Sequence, residues 1–177
     1  MRSVVITDAG PLIALSRIDA LELLRGLFGQ VLVTPEVRVE ALPLADYPGK
    51  ASIAQAFDAG WLVCSLLPET SWQPTNPALG AGERSAIAAA LQMPGCLLIV
   101  DDRAARAEAK LHRLAIIGTA AVVGLAKLQG LIPAACPVLE RLRPAGYFIH
   151  PSLVEAVLKD VGESAGKGHV AAETKLS

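Results

Sequence analysis

Five short runs of β-branched and other apolar residues, separated by longer stretches with helical spacing, constrain this chain more than any other feature. They fall at 4–7, 31–34, 61–66, 97–100 and 115–118. Each is nearly continuous in apolar residues rather than alternating, which is how a strand covered on both faces reads. Strands of that kind interleaved with helices argue for an α/β fold, a five-stranded parallel sheet in a three-layer α/β/α sandwich. The third run is the weakest, because Cys64 and Ser65 dilute it.

Between the first two strands, Leu12, Leu15 and Ile18, then Leu21, Leu24 and Phe28, recur at helical spacing. Asp19 is placed to cap the second of these helices and Gly29 to end it. Pro35 suits the first turn of a helix over 36–42, where its missing N–H would have no partner anyway. Helical spacing resumes at 51–59. The segment 67–79, LPETSWQPTNPAL, is proline-rich and aperiodic and reads as an ordered loop. Further helices are expected at 82–92, 102–114, 119–129, 138–142 and 153–161. The apolar stripes at 51–57 and 138–142 suit either the core or a homodimer face. The chain therefore reads as one domain over 1–162 with a flexible tail over 163–177.

With 53% hydrophobic and 19% charged residues, the chain has enough apolar material for one core and is not a disordered polymer. Sixteen Lys+Arg against 17 Asp+Glu leave a net charge of −1, so any surface for nucleic acid must be local. The charge-free stretch 114–126 is shorter than the roughly 20 apolar residues a membrane span needs, and no membrane partner is expected. Asp8 interrupts the N-terminus before a signal-peptide core can form, and Cys64, Cys96 and Cys136 are odd in number and widely spaced. A reducing, cytoplasmic setting is the expectation.

Open parallel sheets bind ligands at the carboxyl ends of their strands, near the point where strand order reverses. Asp8 closes the first strand in VVITDAG, and Asp101 and Asp102 close the fourth in LLIVDDR. In a sheet of order 3-2-1-4-5 those two strands are neighbours and the carboxylates converge. Glu40 in PEVRVEAL and Glu83 in GAGERSAI lie on helices able to approach them. Carboxylates gathered in this way repel one another unless protons or a hard divalent cation, Mg²⁺ or Mn²⁺, neutralise them. Taken singly, each acid has an ordinary alternative: Asp8, Asp101 or Asp102 as a helix cap, Glu83 as a complement to a helix dipole, Glu40 as a solvated side chain. On the helix after the fourth strand, Arg103, Arg106, Lys110 and Arg113 recur at three- and four-residue spacing, a face to which a phosphate backbone could bind. The alternative there is a solvated face, with Glu108 nearby.

Other chemistries lack their residues. GAGERS has neither the third glycine nor the GK[ST] of a phosphate loop. His112, His150 and His169 have no metal-ligand spacing and no GxSxG partner. A phosphatase of the haloacid-dehalogenase kind would need an acid where Gly10 stands. Trp61 and Trp72 read as core and loop packing.

The segments VITDAGPLIALSRIDALELL, PEVRVEAL, GAGERSAIAAAL, LLIVDDRAAR and IIGT together resemble the PIN domain family, and within it a prokaryotic subgroup related to VapC-type toxins. The resemblance covers roughly 4–131 and continues more weakly to about 162. It implies the sandwich just described, with an acidic quartet around one or two Mg²⁺ or Mn²⁺ ions. The activity it implies is endoribonuclease cleavage of RNA, in many members as a toxin held by a small antitoxin protein. Carried over by position, the catalytic and metal-binding acids are Asp8, Glu40, Glu83 and Asp101, with Asp102 as the alternative fourth ligand. A PIN-like scaffold that binds RNA or protein without cutting is the rival reading. Two departures stand out: Glu83 replaces a common Asp, and Val100 stands where many relatives carry Ser or Thr, a hydroxyl that Thr119 could replace.

Overall fold

A computed structural model describes residues 4–65 and 70–164. Five strands form one parallel sheet: β1 (Val5–Thr7), β2 (Val31–Val33), β3 (Leu62–Cys64), β4 (Leu97–Ile99) and β5 (Ala115–Ile117), in the order β3-β2-β1-β4-β5. All five coincide with the apolar runs; Leu66, at the expected end of the third, lies outside the described residues. The register sets Ile6 beside both Leu32 and Leu98, and Thr7 beside Ile99. Val5, Ile6, Val31, Val33, Leu98 and Ile99 are buried, as strands with helices on both faces require.

The helices are α1 (Ala9–Arg17), α2 (Glu22–Phe28), α3 (Pro35–Ala41), α4 (Lys50–Asp58), α5 (Ala81–Leu91), α6 (Arg103–Leu111), α7 (Thr119–Leu128), α8 (Cys136–Leu142) and α9 (Pro151–Asp160). Successive strands run outward from β1 in one direction through β2 and β3, and in the other from β4 to β5. Right-handed crossovers therefore place the β1–β2 and β2–β3 connections on one face and α5 and α6 on the other. α5 lies against β1, β4 and α6, and α4, α7 and α8 lie against α1; α3 spans the two groups, touching both α1 and α5. β1 and β4 are thus the strands between which the winding reverses, and the carboxyl ends of such a pair are where open α/β sheets place their ligands.

Several local expectations give way to the structure. Asp19 does not cap α2: it turns the chain at φ 53 after α1, and Leu21 takes the cap position without a side-chain bond. The stripes at 51–57 and 138–142 are core rather than dimer face, because Ile53, Ala56, Val138, Leu139 and Leu142 are buried. Order continues past 162: the Glu163 carboxylate accepts from the N–H groups of Ala135 (2.8 Å) and Cys136 (2.9 Å) at the start of α8, which hold its carboxyl below the usual range. The rest of the expected tail, from 165 onward, lies outside the described residues, as do 66–69 of the proline-rich segment. Residues 70–80 form neither helix nor strand. Among the described residues no helix is long and apolar enough to cross a membrane.

Candidate active site

Asp8 leaves β1 and enters α1. Its backbone N–H donates to Ile99 O of β4 (3.0 Å), tying the two strand ends together where the sheet reverses. Asp8 has the extended backbone of a helix cap, yet its side chain makes no capping bond. The third helical residue is Pro11, which has no N–H to offer. The carboxylate is 5% exposed, and Oδ1 has no hydrogen-bond partner among the described residues. Burial pushes this carboxyl from 3.8 up to about 6; the Ala9 and Gly10 N–H groups oppose the rise, and the charges of Glu83 and Glu40 add to it.

Asp101 leaves β4 and meets a different environment. Oδ1 accepts from Thr119 N (2.8 Å), while Oδ2 accepts from the Thr119 hydroxyl (2.5 Å) and from the Tyr147 hydroxyl (2.6 Å). Thr119 thus supplies the hydroxyl that Val100 lacks. Burial and the adjoining Asp101 charge hold the Tyr147 phenol well above its usual range, so it remains a donor. A Cβ added to Gly10 would stand 3.5 Å from that hydroxyl and 3.8 Å from Asp8 Oδ2, so Tyr147 bridges the space between the two aspartates. Asp102 caps α6, Oδ1 accepting from Ala105 N at 2.8 Å.

Glu40 on α3 reaches the start of α5, where Oε1 accepts from Gly82 N at 2.7 Å. A Thr34–Ser85 hydroxyl pair (2.6 Å) locks the two helices; Ser85 donates onward to Gly82 O (2.8 Å), so Thr34 donates to Ser85. Glu83 bends back to accept from Gly80 N (2.8 Å), half of a capping box, since glycine has no side chain to return the bond. Two glycines make room for carboxylates at helix starts. A Cβ at Gly82 would lie 2.5 Å from Glu40 Oε2, and one at Gly118 2.6 Å from Asp101 Oδ1.

A family model described as DUF3368: PIN domain matches residues 4–163. The chain belongs to the PIN domain family. No curated protein and no solved structure matches it. PIN domains are typically nucleases and generally use divalent metal ions, and the acids of this PIN domain suit such an ion in donor type: all offer hard oxygen, and Asp8 Oδ1 is orphaned. None of the four is in an ion pair among the described residues. As placed, however, no three acidic, His or Cys side chains among those residues stand together as one ligand set. Glu40, Glu83 and Asp101 are instead engaged by nearby N–H and hydroxyl donors, from which the two glutamates must swing to join Asp8 on one ion.

The basic face of this PIN domain is shorter than its spacing implies. Arg103, Arg106 and Lys110 line a groove together with Asp101, and Arg106 Nη1 is anchored on Val100 O at 2.9 Å. Arg113 is not on that face: α6 stops at Leu111, and Arg113 follows in a left-handed turn at φ 58. Nor is Glu108 solvated. It is 2% exposed and accepts from Thr75 N (2.8 Å) and Asn76 N (3.4 Å), holding the proline-rich segment to α6, with His112 Nε2 3.4 Å from its Oε1. Those bonds, the Thr75 N–H foremost, keep its carboxyl below the usual range. Trp72 closes the same corner, its indole N–H on His112 Nε2 at 3.3 Å. Tyr147 went unnoticed in the sequence because nothing local signals a contact across 46 residues.

Proposed function

We propose that this PIN domain is a metal-dependent endoribonuclease, hydrolysing RNA phosphodiester bonds with Mg²⁺ or Mn²⁺. The observation that carries the reading is Asp8: a buried carboxylate near Glu40 and Glu83 that, among the described residues, has an orphaned oxygen and no cationic side chain paired to it. Asp8 and Asp101 would hold the ion, joined by Glu40 and Glu83 once they leave their N–H partners. When bound, such an ion supplies Lewis-acid polarisation of the phosphoryl oxygens and an activated water. The protein does the rest. Thr119 and Tyr147 fix the Asp101 carboxylate, Gly82 and Gly118 leave the acids room, and the α6 cations draw the phosphate backbone toward them.

The test is cleavage of a mixed RNA pool with Mn²⁺, with Mg²⁺ and with EDTA. Cleavage is expected with either ion and lost in EDTA. Asp8→Asn should lower it by more than the roughly 10- to 100-fold typical of losing an outer-shell partner. Cleavage that survives both EDTA and Asp8→Asn excludes this site.

A second reading is favoured by the absence of a preformed three-ligand set among the described residues: a scaffold that binds RNA or protein without cutting. Calorimetric titration with Mn²⁺ separates the two. The nuclease reading requires binding that Asp8→Asn weakens, and the scaffold reading requires none. A cytoplasmic toxin paired with a small antitoxin is the setting we propose for the nuclease; slowed growth of a bacterial host on expression, relieved by Asp8→Asn, is its expected mark.

A further inference from the structure

Beside the acidic site runs a groove of about 620 Å³ with two unlike walls. One is α6, with Arg103, Arg106 and Lys110 on a single face at helical spacing. The other is the segment between α8 and α9 together with the first turn of α9, which presents Phe148 and Leu153. Phe148 is 69% and Leu153 43% exposed, so this wall offers solvent a pair of apolar side chains, one of them an aromatic ring.

The segment is tied at both ends. Tyr147 N donates to Leu142 O (2.9 Å), its hydroxyl holds Asp101, and Arg17 Nη1 reaches Ala145 O (3.2 Å). On the far side His150 caps α9, its Nδ1 within 2.7 Å of the Ser152 hydroxyl. Phe148 is therefore offered in a set place, and covering it requires little further ordering of the chain.

We infer that this groove binds single-stranded RNA, its phosphates along α6 and an unpaired base on Phe148, and brings the strand to Asp101 on its lining. Three cations on one wall call for a polyanion, and an aromatic face opposite calls for a flat apolar group. Single-stranded RNA carries both at every residue, whereas a duplex keeps its bases stacked within itself. Continuity with the acidic site favours a substrate over an acidic protein segment. The inference rests on the nuclease reading above, and binding measured without metal tests it apart from cleavage.

The experiment is fluorescence anisotropy of a labelled oligouridylate in EDTA, over a series of salt concentrations. Phe148→Ala should weaken binding roughly 5- to 150-fold with the salt slope unchanged, and Phe148→Trp should restore it. Lys110→Ala should lower the slope by about 0.7. An abasic oligomer should bind wild type as weakly as oligouridylate binds Phe148→Ala, and that variant should not discriminate between them. Wild-type affinity in both alanine variants overturns the groove while leaving the nuclease reading intact, and gives this surface to a protein partner. A wild type that neither binds nor cuts RNA overturns both.

Discussion

The ends of β1 and β4 lie side by side, one strand spacing apart, and each is followed by an aspartate, yet the two carboxylates are treated in opposite ways. Asp101 is met by three donors, from Thr119 N, the Thr119 hydroxyl and the Tyr147 hydroxyl. Asp8 is more deeply buried, and among the described residues its Oδ1 meets none, so only the Ala9 and Gly10 N–H groups ease its charge. A buried carboxylate without donors costs stability, whereas one with several contributes to it. The protein spends its donors on fixing one acid and leaves the other poorly satisfied, which is how a site looks when one side orients a ligand that the other side needs.

The sharpest way to break that contrast is to make the same isosteric change at both strand ends. Asp8 has a folded-state value of about 6, raised above 3.8. A raised carboxyl favours folding of the protonated form. Its contribution is intact below the unfolded value, and is lost as pH climbs through the folded one. Asp8→Asn should therefore stabilise the metal-free protein by up to about 3 kcal/mol above pH 6, and by little near pH 3. Asp101→Asn should do the reverse at neutral pH, costing on the order of 1–3 kcal/mol, because an amide cannot accept all three bonds. Urea denaturation in EDTA at several pH values reads both. Equal signs at the two positions would remove the basis for treating them differently, and added Mn²⁺ should erase the advantage of Asp8→Asn by stabilising wild type.

The contrast also marks where sequence reasoning stopped. The five strands were legible because strands covered on both faces must be continuously apolar, and 97–100 or 31–34 admit no other assignment. The positions of Asp8, Glu83 and Asp101 were legible because they follow from strand ends and a helix start, and that of Glu40 because Pro35 fixes where its helix begins. The difference between Asp101 and Asp102 was not: both follow the same strand, and what separates them is that Thr119 and Tyr147 meet Asp101 while Asp102 caps α6. Arg113 was misplaced because α6 ends without a glycine or proline, in a left-handed arginine that few sequences use. Glu108 was misread because its partners are backbone N–H groups more than 30 residues away, which leave no periodic trace. Donors that come from distant backbone or from an aperiodic segment, as Tyr147 does, have no local pattern to betray them.

Removing one donor from the satisfied side gives the smallest effect and the finest test. Tyr147→Phe deletes only the hydroxyl that holds Asp101 Oδ2, and Thr119 keeps its two bonds to the same carboxylate. The loss of one hydrogen bond to a charged group should cost about 1–2 kcal/mol of folding stability, read by urea denaturation at neutral pH. If Tyr147 does no more than brace the fold, Mn²⁺ affinity should be unchanged. If it orients Asp101 for a cation shared with Asp8, affinity should fall roughly 10-fold, the lower end of what an outer-shell partner usually contributes. Terbium ions distinguish the cases without any turnover: a tyrosine this close to the site should sensitise their emission in wild type, and Tyr147→Phe should dim it. Sensitised emission that persists undiminished in Tyr147→Phe would place the ion elsewhere, and Asp101 would then have been satisfied for the sake of the sheet alone.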